Sequence, residues 1–187
     1  MGDAKQGSNR KIRWITETGL LTALLIALQW LTAGTQAFAG QYITGSCVNC
    51  VLAVAVLLGG PWSGVIVALL SPFCAFLLGI GPQLIWIVPV IALGNLTFVL
   101  CLSFLSGAKN ADIFRQAAGL LISALAKFGV LYLGVVHLLI PIMGAALSEP
   151  MAKRFTVMFS WPQLITALIG GAAALLVLPL IKRAVKR

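Results

Sequence analysis

From Thr18 through Ala108 the chain carries no Lys, Arg, Asp or Glu. A water-exposed polypeptide of that length would show several, because charged side chains belong on solvated surface. The stretch is therefore built for lipid, with connections too short to need charge. Composition agrees: 60% of the 187 residues are hydrophobic and 9% charged, with a mean hydropathy of +1.05, outside the range of an ordinary soluble domain. In a bilayer a helix satisfies its own backbone hydrogen bonds, so the expected fold is an all-α integral membrane protein, a single membrane domain over residues 1–187.

A spanning helix needs roughly 20 apolar residues, with about 17 as a lower limit. Six segments meet that length and predict transmembrane helices near 15–33, 43–60, 62–80, 84–105, 117–140 and 162–181. The fifth apolar run continues to Leu147, and Pro141 removes a helical hydrogen bond within it, so a break is expected around Ile140 to Gly144. Lys and Arg near span ends favour the cytoplasmic side. Arg10, Lys11 and Arg13 precede the first span and Lys182, Arg183, Lys186 and Arg187 follow the last, which predicts both termini cytoplasmic, a cytoplasmic tail over residues 1–13, and external loops at 34–42 and 148–161. Lys153 and Arg154 then lie outside, against the rule. The net charge of +9 flanks spans instead of forming one stripe, so it implies no nucleic-acid partner. The basic start, the apolar run and Ala37-Phe38-Ala39 also match the outline of a secretory signal; the length of the run, with Glu17 and Gln29 inside it, argues for a retained span.

Small residues mark two helix faces. Gly19, Ala23 and Ala27 recur at a spacing of four in the first span, and Gly64, Ala68, Ser71, Ala75 and Gly79 do the same in the third, with one step of three. In lipid such stripes let another helix approach closely and gain van der Waals contact. The first reads as a docking face for a second membrane protein or as internal packing; spacing alone is compatible with both.

Polar residues are few, and their positions narrow the chemistry. Lys127 lies about a dozen residues past Arg115, hence roughly 18 Å deeper at the helical rise. A lysine at that depth costs about 2.5–3.5 kcal/mol on insertion scales. The other spans offer no carboxylate except Glu17 at the end of the first, so Lys127 should face an internal cavity or an anion. Asn95, mid-way along the fourth span, is an amide that lipid cannot satisfy. With them we group Trp86, His137 and Gln163 as candidate ligand contacts, and Gln41, Tyr42 and Asn49 at a Gly-containing first loop suited to act as a lid. Taken alone, a single histidine such as His137 is as well explained by packing. Cys47-Val48-Asn49-Cys50 has the spacing of a redox dithiol, which makes a membrane thiol–disulfide oxidoreductase one alternative function and a ligand-free structural subunit another. No GxxxxGK[ST] loop, no carboxylate pair and no metal-spaced cluster occurs, so neither catalytic residues nor a metal or cofactor is expected.

Six short spans, the basic N-terminus, Ala23-x-x-x-Ala27, the first external loop, and the stretch Leu57 to Asn95 together resemble the substrate-binding S component of energy-coupling factor (ECF) vitamin transporters. The resemblance covers nearly the whole chain. It implies a bacterial plasma-membrane protein that is not an enzyme but captures a vitamin or related micronutrient near the outer surface. Its Gly19, Ala23 and Ala27 face would dock on a transmembrane coupling subunit, itself joined to two ATPase subunits that supply the energy. Release would follow toppling of the whole subunit. Binding residues differ among such proteins, so the site prediction rests on the residues named above.

Overall fold

The computed structural model describes residues 2–33, 38–106 and 112–184, with helix throughout and no strand among them. The helices are α1 (Gly2–Ala33), α2 (Phe38–Gly59), α3 (Pro61–Leu77), α4 (Ile87–Ser106), α5 (Ile113–Leu131), α6 (Ile140–Met143), α7 (Glu149–Met158) and α8 (Trp161–Ala184). Between α5 and α6 the helix runs on as a π-helical segment, Tyr132–Leu139, and a short 3-10 turn, Gly144–Ala146, follows α6. Five helical stretches have the length and hydropathy to cross a membrane, and Pro61–Leu77 is a sixth, shorter apolar helix. The chain is thus a multi-pass membrane protein.

Helix ends follow local chemistry. Gly60 adopts φ 88° and ψ 179° between α2 and α3, a backbone region open only to glycine, and Pro61 starts α3 where a missing N–H costs nothing. Asp112 caps α5, its side chain accepting from the Arg115 N–H at 2.8 Å. The helical stretch from Ile113 runs on through Pro141 and reaches a residue of positive φ only at Gly144, φ 44°, the far end of the expected break; the change to π-helix comes earlier than expected, at Tyr132.

Two expected loops are helical. Residues 38–46 form the opening turns of α2, leaving only 34–37 between α1 and α2, outside the described residues. Gln41 and Tyr42 are therefore held on a helix and not on a loop. Gly, Gln and Thr there suit a loop in isolation, which is why composition suggested a lid. Within 148–161, α7 packs across the end of the bundle and buries Phe155 and Phe159 against Ile87, Leu131, Val135 and Leu147.

The main core joins α2, α3, α4, α5 and α8 through Leu52, Val56, Val67, Phe98, Leu102, Leu120 and Ala167. α2 lies closest to α8: a Cβ at Gly170 would strike the Ser46 carbonyl and the Cβ of Asn49. That close approach brings Asn49 into the middle of the bundle. α1 adds Leu25 to the main core but lies at the rim, with Ile15, Leu20, Trp30 and Leu31 exposed. Its inner face is nonetheless anchored: Trp14 Nε1 donates to the Gly59 carbonyl at 2.9 Å, and Thr18 Oγ1 to Ser63 Oγ at 2.9 Å.

Candidate functional site

Helix packing of this kind leaves a cleft at one end of the bundle, a cavity of about 1140 Å³. The C-terminal halves of α1, α3 and α5 and the N-terminal halves of α2, α4 and α8 form its walls, and α7 lies over it. At its deep end stands Lys127, only 2% exposed. Its Nζ donates to Asn49 Oδ1 at 2.6 Å and to Asn95 Oδ1 at 2.7 Å, and lies 5.7 Å from the centre of the Phe98 ring. Asn49 is oriented by its own amide group, which donates to the Gly45 carbonyl at 2.8 Å and reaches Thr166 Oγ1 at 3.5 Å. Three helices, α2, α4 and α5, therefore converge on one ammonium group.

The electrostatics of this arrangement are one-sided. An ammonium has three donors, and two go to neutral amide oxygens. Those dipoles and the ring face solvate the charge without cancelling it. The charged residues that line the cavity are Lys127, Lys153 and Arg154, and no carboxylate lines it among the described residues. Lys153 is held only loosely, its Nζ 4.0 Å from Glu149 with both side chains exposed. A buried charge is stable when paired, and among the described residues the cavity lining supplies no partner of opposite sign.

Of the residues predicted from sequence, Lys127, Asn95, Asn49, Gln41 and Gln163 are brought together around this cavity. The two glutamines also bind α7, since Gln41 Nε2 donates to the Met158 carbonyl at 2.7 Å and Gln163 Nε2 to the same oxygen at 3.0 Å. Both satisfy the last turn of that helix and hold it over the cavity. The other three predicted contacts lie elsewhere. Trp86 is 64% exposed on the outside of the bundle, as suits an aromatic at a membrane interface. His137 is exposed too, its ring 4.8 Å from Tyr132 at the end of a row that continues through Phe128 to Trp161. The π-helical register after Leu131 turns Val135 inward and His137 outward. Tyr42 is half-buried on α2 but does not line the cavity. Cys47 and Cys50 also stand on α2 away from it.

Sequence reasoning missed Gln29, Ser71 and Thr166, all buried and all on the cavity wall. Each is a polar residue within an apolar run, and that was the available signal. Ser71 escaped because it fell in register with a stripe of small residues, where hydroxyl and methyl look alike.

On the opposite side of α1, Gly19, Ala23 and Ala27 are all exposed. Gly19 and Ala23 line a shallow apolar groove of about 480 Å³ with Trp14, Ile26, Ile66 and Leu70, so the groove runs between the outer faces of α1 and α3.

A multi-pass helical bundle whose polar groups converge on one deep cavity, beside an outward groove lined with small residues, has the build of a membrane subunit that holds a small solute. The comparison with known families is specific: the chain matches the ECF transporter, substrate-specific component, over residues 13–182. It belongs to that family, whose members are transport subunits and not enzymes. No curated protein and no solved structure matches it.

Proposed function

We propose that this chain captures an anionic vitamin or related micronutrient in the cavity floored by Lys127 and delivers it inward with an ATP-driven coupling module. The observation that carries the reading is the buried Lys127 ammonium, bound by two neutral amides and facing a cavity with no carboxylate in its lining among the described residues. A carboxylate or phosphate on the solute would take its remaining N–H as a charge-assisted hydrogen bond, worth about 1.5–3 kcal/mol. Lys153 and Arg154 on α7 raise the local concentration of anions at the mouth.

In this reading both termini are cytoplasmic in a bacterial plasma membrane, α7 and the cavity mouth face outward, and α7 acts as the cover that Gln41 and Gln163 hold in place. The groove between α1 and α3 receives a helix of the transmembrane coupling subunit, Gly19 and Ala23 allowing the close approach, and two ATPase subunits drive the cycle. Toppling of the subunit then turns the cavity inward for release. The test is to purify the chain in detergent from cells grown in rich medium, denature it and identify the released small molecule by mass spectrometry. A stoichiometric anionic compound is expected. Release of only lipid or quinone would contradict solute capture and return the thiol pair Cys47 and Cys50 to consideration.

A further inference from the structure

Two helices set the depth of the cavity, and they agree. On α2, Asn49 accepts from Lys127 at the deep end, and Gln41, eight residues earlier, donates to the Met158 carbonyl of α7. On α4, Asn95 accepts from Lys127, and Ile87, again eight residues earlier, packs with Phe155 and Phe159 of α7. Eight residues rise about 12 Å in an α-helix, so both walls put Lys127 the same distance beneath α7. Between the two ends the wall is mostly apolar, with Pro72, Phe76, Ile91 and Leu131. The Thr44 hydroxyl on that stretch of α2 is turned aside to Thr32 Oγ1 at 2.8 Å. The upper end is held as well: the Met158 carbonyl, in the last turn of α7, takes both the Gln41 and the Gln163 amide, which ties α7 to α2 and α8 at one point.

From this we infer that the cavity selects its solute by length, with α7 as the stop, and that the class it takes is an elongated anion with an apolar, ring-bearing body. The inference rests on the anion reading of Lys127 and adds the dimension which that reading leaves open. A hydrogen bond to Lys127 Nζ takes up part of the depth, so the body runs about 10 Å from the charged group. Rings suit the space better than a bare chain, which would leave most of a cavity of about 1140 Å³ empty. A one-ring acid held at Lys127 reaches only the lower wall, and the apolar burial that the upper wall offers is lost to it. An acid longer than the cavity is deep has to lift α7 and break both glutamine bonds.

The experiment compares thermal shifts of the purified full chain with three acids of increasing length, namely benzoate, 4-phenylbenzoate and 4-(4-butylphenyl)benzoate. Apolar area alone would make the longest acid the tightest; a stop at α7 gives that place to 4-phenylbenzoate. Its shift should exceed the other two by about 3–5 °C, the reading of an about tenfold difference in affinity. Two changes act on the upper end in opposite directions. Gln41→Leu combined with Gln163→Leu frees α7, and the butyl acid should then match or exceed 4-phenylbenzoate. Ala75→Leu adds bulk to the cavity wall in the last turn of α3, and should cut the 4-phenylbenzoate shift while the benzoate shift stays. Wild-type shifts that are equal or that grow with every step in length, or an order of acids that the folded variants leave unchanged, would overturn selection by length. Shifts unaltered by Lys127→Met, or absent for all three acids, would instead count against the anion reading beneath it.

Discussion

The small-residue faces of α1 and α3 share a spacing and differ in use. Gly64, Ala68, Ser71 and Ala75 on α3 are all buried, and a Cβ at Gly64 would come within 2.5 Å of Val99 Cγ1 and 2.9 Å of Val56 Cβ. Gly19, Ala23 and Ala27 on α1 are all exposed, and a Cβ at Gly19 would meet nothing within 4 Å. At Gly64 the α3 stripe is already filled by α2 and α4, and at Ser71 and Ala75 it forms cavity wall. The α1 stripe is unfilled, although a glycine there sacrifices helix propensity and apolar contact alike. Under the proposed function, this unfilled close-approach face is the one offered to the coupling subunit.

Substitutions can break this contrast in order of effect. Gly64→Leu should be the most disruptive: with Val99 and Val56 in the way, overpacking costs about 1–3 kcal/mol or more, and the chain should lose its sharp thermal transition and its monodisperse elution in detergent. Thr18→Val removes the bond to Ser63 that anchors the inner face of α1, leaving that buried hydroxyl unmet at about 1–3 kcal/mol. The melting temperature should fall by several degrees, less than for Gly64→Leu. Gly19→Leu should leave the isolated chain as stable as wild type or slightly more so, by up to about 1 kcal/mol from helix propensity, while uptake by the assembled transporter and co-purification of the coupling subunit are lost. A Gly19→Leu protein that still assembles would end the distinction between the two faces. The smallest effect is expected of the pair Cys47→Ser and Cys50→Ser, which touches neither face nor the cavity; solute binding should stay within about twofold, and loss of activity there would favour thiol chemistry.

How much of this was legible in the sequence follows from which forces act locally. Apolar run length sets the spans, and Gly60, Pro61 and Gly144 set ends, so the middles of the six spans can be read from residue order, but the extension of α1 back to Gly2, within the expected tail, and α7, within the expected 148–161 loop, cannot. Lys127 and Asn95 were legible because a bilayer penalises them wherever they do not meet protein or solute. The start of α2 at Phe38 was not, since Gly, Gln and Thr suit a loop in isolation and become helical only when α8 packs against them. His137 and Trp86 illustrate the limit: the π-helical segment after Leu131 sets the rotation that turns His137 outward, and Trp86 sits in the turn before α4, where spacing along a helix says nothing of its direction. Ser71 shows the same limit in reverse, as a packing residue by spacing whose hydroxyl meets nothing among the described residues.

The central claim is that Lys127 holds an anion, and the direct measurement is the amount of bound compound that the wild-type chain and Lys127→Met retain through purification, quantified by mass spectrometry after denaturation. Methionine preserves much of the side-chain length and removes the charge. A negatively charged compound is expected at near one-to-one occupancy in wild type, with a drop in affinity of about 10- to 100-fold in the variant, the equivalent of one charge-assisted hydrogen bond. A neutral compound, or equal retention by both proteins, would contradict it.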